Sequence, residues 1–148
     1  MQKNLEERVK EHEGFRSSVY LDSLGKATIG WGHLITKEDK YEEGIEYSVE
    51  DLEETFQLDL ENARQGAMRV AQSNDIDLDD HESIVREVLI EMVFQLGESG
   101  VGKFKKFLSN LSQRKYEIAS DEMLDSRWAM QTPHRAEKLS YIIRVLAH

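Results

Sequence analysis

The chain has 148 residues, enough for one compact domain with its own hydrophobic core. Hydrophobic residues make up 39% of it, which argues against disorder, and the absence of cysteine excludes a disulfide framework, a cysteine-ligated metal and a thiol nucleophile. The formal net charge of -10 argues against nucleic acid as a ligand, because phosphate contacts require a basic surface.

The acidic residues are concentrated in one segment. Residues 37–61 contain eleven acids and two bases, a balance of −9, whereas residues 97–148 contain six acids and nine bases, a balance of +3. The acidic segment either repels an anionic polymer or forms a solvated face that aids solubility. The N-terminal residues lack the apolar core of a signal peptide, and no apolar run is long enough to span a bilayer.

The first part of the chain predicts a helix followed by a small sheet. Leu5 and Val9 have the spacing of a short helix that stops near Gly14. Residues 18–22 and 26–30 read as the two strands of a hairpin around a glycine-bearing turn. A third strand is expected near residues 33–35, because an isolated two-stranded ribbon is only marginally stable.

A long helix is predicted next, over about residues 48–72, with Ser48 as its N-cap. Its apolar stripe consists of Leu52, Phe56, Leu60, Ala63, Ala67 and Val70. A helix of about 24 residues spans roughly 36 Å, long enough to link two lobes with a groove between them. Gly66 within it costs on the order of 1 kcal/mol relative to alanine, which packing can offset.

The remaining residues predict further helices. The broad apolar band over residues 84–96 indicates a buried central helix, after which Gly97, Gly100 and Gly102 are expected to break the chain. Apolar spacings predict two more helices between Phe104 and Leu124, and a last one with Thr132 as N-cap and a proline in its first position. We therefore expect a mainly helical α+β fold in one domain, in which residues 13–47 form a small α/β lobe, 48–72 a linking helix, and 73–148 with 1–12 a helical lobe.

Three residues around the hairpin suggest glycosidase chemistry. If Glu13 ends the first helix and Asp22 ends the first strand, two carboxyl groups on different elements can flank a ligand. Cleavage of a sugar–sugar bond requires one protonated carboxyl group and one ionised carboxylate. Thr28 on the return strand can hold the attacking water. By themselves these residues fit surface carboxylates beside a hairpin better than a catalytic site, because the chain has 29 acidic residues.

Three blocks of sequence resemble the phage-type lysozymes, the T-even-like endolysins. The first runs from Glu13-Gly14-Phe15-Arg16 through Tyr20-Leu21-Asp22 to Thr28-Ile29-Gly30-Trp31-Gly32-His33, with eight and then five residues between the glutamate, aspartate and threonine of the family signature. The others are Met92–Val101 and the segment Ser126-Arg127-Trp128 … Gln131-Thr132-Pro133-His134-Arg135-Ala136. The resemblance covers most of the chain in the right order. It implies a lysozyme-like fold.

The resemblance also implies roles for individual residues. Glu13 is the general acid, Asp22 the general base, and Thr28 positions the water. The family precedent is inversion, for which the two carboxyl groups should lie about 6.5 to 9.5 Å apart. Arg135 matches a position whose guanidinium reaches the catalytic glutamate, and the alternative for it is a structural ion pair between lobes.

Other matching positions are structural or contact the substrate. His33 is expected to form an ion pair with Asp59 that holds the hairpin to the long helix. The residues expected to contact substrate are Leu34, Phe94, Gln95, Ser126 and Gln131, although Phe94 fits the core equally well. Trp128 is expected in the core with a partner for its N–H, and Trp31 stands where the family often has a smaller apolar residue. The segment between Lys37 and Ser48 is shorter than in well-known members, so a helix is expected to be missing there.

The sequence thus predicts a muramidase that cleaves the β-1,4 bond between N-acetylmuramic acid and N-acetylglucosamine in peptidoglycan, with no metal or cofactor. The alternatives are a catalytically weak peptidoglycan-binding module and a lytic transglycosylase. The resemblance implies a monomer that stays in the host cytoplasm until released to the cell wall, with a holin as one route of release. Tail-associated and bacterial antagonistic uses of the same fold stay open.

Overall fold

A computed structural model describes residues 3–148 of the chain. In chain order, the elements are α1 Leu5–Glu13, β1 Arg16–Leu21, β2 Ala27–Gly30, β3 His33–Leu34, α2 Val49–Ser73, α3 Ser83–Leu96, α4 Glu98–Gly102, α5 Lys105–Ser112, α6 Tyr116–Leu124, α7 Arg127–Gln131 and α8 Pro133–Val145. The strands form one antiparallel sheet in the order β1-β2-β3. The fold is α+β and mainly helical, as the sequence predicts.

The chain forms two compact units, one that ends at Glu61 and one that spans Asn62–His148. The first contains α1, the sheet and the beginning of α2, and the second contains the rest of α2 and all later helices. The predicted boundaries of the lobes stay a prediction. Residues 1 and 2, which belong to the predicted helical lobe, lie outside the described residues.

Helix α1 has defined ends. The side chain of Asn4 accepts a hydrogen bond from the backbone N–H of Glu7 at 2.8 Å, which caps the first turn. Gly14 follows the last residue with a φ of +72°, and its N–H donates to the carbonyl of Lys10 at 2.9 Å. Leu5 and Val9 are buried. Glu13 therefore ends the helix, as predicted.

The sheet follows with a register that aligns Thr28 with both of its neighbours. Tyr20 of β1 pairs with Thr28, and Thr28 pairs with Leu34 of β3. Strand β1 extends over Arg16–Leu21 and β2 over Ala27–Gly30, so β2 ends where predicted and the other three boundaries differ by one or two residues. The reason at the end of β1 is that Asp22 uses its side chain to form the turn, as described below.

Helix α2 has the predicted cap and stripe. The hydroxyl of Ser48 accepts a hydrogen bond from the N–H of Asp51 at 3.1 Å. All six residues of the predicted apolar stripe are buried. Residues 35–48, between β3 and α2, contain turns but no helix, as the shortness of this segment predicts.

The second unit is built around α3, α6 and α8. Helix α3 is buried along most of its length, which confirms the predicted central helix. Helix α6 packs against both α5 and α8, and α8 also contacts α3. The apolar interior of the second unit includes Val85, Leu89, Met92, Met123, Leu139 and Ile143, all of which are fully buried.

One local expectation for this unit is wrong, and another holds only in part. Only Gly97 breaks the chain, with a φ of +80° that favours glycine, whereas Gly100 and Gly102 lie within the short helix α4. Glycine lowers helix propensity without preventing a short helix. Thr132 stands at the N-cap position of α8 with Pro133 in the first helical position, as predicted, but its side chain does not cap the helix; its hydroxyl donates to the carbonyl of Trp128 at 3.2 Å.

Gly66 lies at a close contact between α2 and α3. A Cβ atom added at this position would lie 2.9 Å from Cγ1 of Val93. Valine has one strongly preferred rotamer in a helix, so this neighbour has little room to adjust. The glycine is therefore required by packing, which offsets its low helix propensity.

We predict that Gly66→Ala lowers the free energy of unfolding. Alanine gains about 1 kcal/mol in helix propensity, but overpacking costs about 1 to 3 kcal/mol. Urea unfolding followed by circular dichroism measures the difference. Gly102→Ala is the matched control, because a Cβ there meets nothing within 4 Å and the variant should be no less stable than wild type. If the double variant Gly66→Ala/Val93→Ala loses as much unfolding free energy as the two single variants together, the steric explanation is contradicted.

Candidate active site

The carboxyl group of Glu13 lies against the turn between β2 and β3. A Cβ atom added at Gly32 would come within 3.1 Å of the carboxyl carbon of Glu13, and closer still to Oε1. Gly32 also has a φ of +74°, which disfavours other residues. The backbone of this turn therefore bounds the space in which the carboxyl group sits.

Asp22 is held by the turn that follows β1. Its Oδ1 accepts hydrogen bonds from the backbone N–H groups of Leu24 at 2.9 Å and Lys26 at 2.8 Å. The N–H of Asp22 donates to the carbonyl of Lys26, and Gly25, with a φ of +77°, donates to the carbonyl of Asp22. These bonds fix the orientation of the carboxylate and leave Oδ2 outside both of them.

Thr28 is 3% exposed, in the middle strand of the sheet. Its hydroxyl donates to the carbonyl of Lys26 at 2.9 Å, so its oxygen lone pairs stay available to accept a hydrogen bond. Leu34, its register partner and a predicted substrate contact, is 48% exposed. The sheet therefore brings Thr28 and Leu34 together.

The pKa of Tyr20 responds to both carboxyl groups. Burial raises the pKa of Tyr20 most, Glu13 and Asp22 raise it further, and the Arg16 guanidinium, 4.5 Å above the ring, lowers it. Glu13 and Asp22 are therefore both close enough to act on one phenol. No role is predicted for Tyr20 from the sequence, although it lies within the first block of the resemblance.

His33 lies between two carboxylates. Its Nδ1 is 2.7 Å from Oδ2 of Asp59 on α2, which confirms the predicted contact, and its Nε2 is 2.9 Å from Oδ2 of Asp39. The hydrogen bond to Asp59 raises the pKa of His33 to about 9, against burial and with help from Asp39. Burial of Asp39 raises its pKa, but hydrogen bonds from Thr36 and His33 outweigh this and lower it.

The second unit holds the other predicted contacts. The indole N–H of Trp128, which is buried as predicted, donates to Oε1 of Gln95 at 2.8 Å. The amide of Gln95 donates in turn to the hydroxyl of Thr132 at 3.3 Å. Phe94, next to Gln95 on α3, is half-buried. Gln95 is thus held by two partners within its own unit.

Ser126 and Gln131 are brought together at one cavity of about 530 Å³ in this unit. Ser126 caps α7 by accepting from the N–H of Ala129 at 3.1 Å, and its hydroxyl donates to the carbonyl of Met123 at 2.6 Å. The charged side chains that line the cavity are Lys103, Lys105, Lys106, Arg127, Glu122 and Asp125.

Arg135 has a buried acidic partner within the second unit. Its Nε donates to Oε2 of Glu91 on α3 at 3.1 Å, and the two side chains are 8% and 0% exposed. Glu91 is not anticipated from the sequence, although an acid between Ile90 and Met92 in the apolar band of α3 signals the need for a cation. The predicted role of Arg135 toward Glu13 stays a prediction.

We predict that Asp59→Asn destabilises the protein at pH 6 but much less at pH 10. The pKa of His33 rises from 6.5 to about 9 on folding, so the linked stabilisation is complete below pH 6.5 and is lost as the pH rises through 9. Its full size is on the order of 3 kcal/mol, of which Asp59 carries the largest share. Urea unfolding at a series of pH values measures it. Glu54→Gln, an exposed neutralisation on the same helix, is the control; equal stability of Asp59→Asn and wild type at pH 6 would contradict the assignment.

Neither a membrane-spanning helix nor a metal cluster is found within residues 3–148. No helix there combines the length and the apolar character needed to cross a bilayer. No group of three or more histidine, cysteine or acidic side chains there is arranged to hold a metal ion.

The chain is similar to known lysozymes. The profile of the phage lysozyme family matches residues 10–141. Probable T4-type lysozyme 2 of Dictyostelium discoideum is 30% identical over 157 residues, which cover 94% of this chain and 92% of that protein. The pre-baseplate central spike protein Gp5 of Enterobacteria phage T4 is 28% identical, covering 95% of this chain and 27% of that protein. Peptidoglycan hydrolase gp36 of Pseudomonas phage phiKMV is 26% identical, covering 98% of this chain and 15% of that protein.

The family match includes the elements that carry Glu13, Asp22 and Thr28, and it extends through the helices of the second unit. With a full-length relative at 30% identity, it shows that this chain belongs to the phage lysozyme family and is a glycoside hydrolase that acts on peptidoglycan.

Proposed function

We propose that the chain is a muramidase that hydrolyses the β-1,4 bond between N-acetylmuramic acid and N-acetylglucosamine, with inversion at the anomeric carbon and without metal or cofactor. The observation that supports this most directly is how the first unit holds its two carboxyl groups: Glu13 lies against the backbone at Gly32, and Asp22 is fixed by the N–H groups of Leu24 and Lys26. Two oriented carboxyl groups on different elements suit an enzyme that protonates a glycosidic oxygen and activates a water on the opposite face.

Glu13 is the proposed general acid, which gives its proton to the leaving oxygen. Its carboxyl group rests against the backbone at Gly32, at the end of a capped helix. A group restricted in this way is held in position for proton transfer before the substrate arrives. This placement supports Glu13 over its neighbour Glu11, which is exposed and pairs with Lys3.

Asp22 and Thr28 are the proposed water-activating pair. Oδ1 of Asp22 is occupied by two backbone donors, so Oδ2 is the oxygen that accepts the proton of the water. The hydroxyl of Thr28 already donates to Lys26, so it accepts the second hydrogen of the water. With both hydrogens directed in this way, a lone pair of the water is left for the anomeric carbon.

Substrate contacts are proposed for Leu34, Phe94, Gln95, Ser126 and Gln131. The exposure of Leu34 and the cavity lined by Ser126 and Gln131 support this within each unit. Gln95 is oriented by Trp128 and Thr132, which suits a residue that must present its amide in one direction. The family resemblance supports a role for Arg135 in orienting Glu13.

We predict that Glu13→Gln abolishes clearing of a peptidoglycan suspension. Loss of a general acid lowers the rate by about 100-fold or more, whereas the amide preserves the size of the side chain and so the fold. Turbidity assays on purified cell walls measure this. Glu11→Gln is the matched control, two residues away on the same helix, and it should clear the walls as wild type does. Equal clearing by Glu13→Gln and wild type would favour a wall-binding module instead.

The anomeric form of the first product tests whether hydrolysis proceeds with inversion. Hydrolysis with inversion gives a new reducing end that is initially the α anomer, because the attacked bond is β. Proton NMR of the first products, taken before mutarotation, distinguishes the two anomers, and a β product would exclude inversion. Mass spectrometry separates hydrolysis from lytic transglycosylation, since an anhydro product is lighter by one water.

Delivery and oligomeric state complete the proposal. We infer a monomer that reaches the wall from the host cytoplasm, with holin-dependent release as one route. The similarity to a lysozyme from Dictyostelium and to parts of longer phage proteins supports use of this domain in more than one setting. Sedimentation of the purified protein tests the monomer, and lysis in cells with and without a co-expressed holin tests the route.

A further inference from the structure

Trp31 is packed between two other aromatic rings in the first unit. Its ring centroid lies 4.7 Å from that of Phe15 and 5.5 Å from that of Phe56 on α2. Tilted and edge-on arrangements of this kind are attractive because the ring edge is positive and the ring face negative. Trp31 is thereby fixed on one side by the residue that follows Glu13-Gly14 and on the other by the long helix.

A cation adds to the same cluster. The ammonium nitrogen of Lys10 lies 4.4 Å from the centroid of Trp31 and 4.9 Å from that of Phe56, and 2.6 Å from Oε2 of Glu53. The hydrogen bond from Lys10 lowers the pKa of Glu53, against the effect of burial, so the pair is ionic. Lys10 stands three residues before Glu13 on α1, a spacing that places both on neighbouring positions of the helix surface.

Trp31 lies at the centre of the turn that bounds Glu13. It is flanked by Gly30 and Gly32, with φ of +66° and +74°, so neither neighbour has a side chain to fix the turn. Gly32 is the residue whose Cα faces the Glu13 carboxyl group. The position of that backbone therefore depends on how Trp31 is packed.

We propose that Trp31, held by Lys10, Phe15 and Phe56, is a positioning residue for the general acid, and that it acts through the backbone of Gly32 on the carboxyl group of Glu13. This inference rests on the proposed role of Glu13. Trp31 itself does not take part in the chemistry. It sets where the turn lies, and the turn sets where the acid lies.

The test compares kcat and KM on soluble, un-cross-linked peptidoglycan strands. Trp31→Leu should lower kcat by about tenfold to 100-fold, because small displacements of a catalytic group cost this much, while KM should change by less than about twofold because no substrate contact is lost. Trp31→Phe keeps a ring over Lys10 and should retain most of kcat. Tyr47→Leu removes an aromatic ring from the same unit, 5.0 Å from Tyr41, and should leave kcat unchanged.

Two glycine variants test the link between the turn and the acid directly. Gly32→Ala and Gly44→Ala carry the same left-handed strain, one in this turn and one in the segment before α2, so their melting temperatures should fall by similar amounts. A methyl group at 32 meets the Glu13 carboxyl group, whereas one at 44 meets nothing within 4 Å. Only Gly32→Ala should therefore lose kcat.

The kcat values of these variants decide whether Trp31 positions Glu13. A fall in kcat for Trp31→Leu and Gly32→Ala, but not for their controls, supports it. An unchanged kcat for Trp31→Leu, a change in KM alone, or equal losses for the two glycine variants would overturn it.

If Trp31→Leu does not fold, Lys10→Met, which keeps the aliphatic stem, takes its place and should show the same loss of kcat. If Glu13→Gln is inactive while Trp31→Leu is fully active, only the positioning role fails; if Glu13→Gln is active, the proposed function fails with it.

Discussion

The arrangement of the candidate site in the first unit depends on one close contact, between the backbone at Gly32 and the carboxyl group of Glu13. Other features of the unit meet at this point. The capped end of α1 brings Glu13 to the sheet, the left-handed glycines bend the turn, and the cluster around Trp31 holds the turn in place. A carboxyl group supported by backbone has few alternative positions, which suits the role of general acid proposed for Glu13.

Buried and half-buried charges in this protein are held in specific pairs. His33 lies between carboxylates from α2 and from the acidic segment, and Arg135 meets Glu91 where both are withdrawn from water. Ion pairs of the second kind contribute little net stability relative to apolar residues, but loss of one partner leaves an uncompensated charge. The Arg135–Glu91 pair therefore fixes geometry more than it stabilises the fold, whereas the pairing of His33 also stabilises the fold until the pH rises through about 9.

The sequence predicts most of the fold because its signals are local. The stripe of α2, the cap at Ser48 and the end of α1 at Gly14 follow from spacing and residue type. The short helices α4 and α7 do not, since a single turn has too few residues for a periodic pattern.

The residues of the candidate site, like the elements of the fold, are only partly predictable from the sequence. Glu13, Asp22 and Thr28 follow from a motif, and Asp59 from a register argument. Asp39, Glu91 and the cluster around Trp31 could not be predicted, because nothing local distinguishes Asp39 from the other acids of its segment. Glu91 and Lys10 acquire their partners only when distant parts of the chain fold together.

In the mechanism proposed above, the two carboxylate oxygens of Asp22 have different roles. Oδ1 forms the turn by accepting from Leu24 and Lys26, and Oδ2 is left for chemistry. Asparagine also has one carbonyl oxygen for the turn, but its amide group takes no proton. On that mechanism, Asp22→Asn keeps the turn and removes the base, which would give a folded, inactive enzyme in which an intact glycan chain can be captured for crystallography.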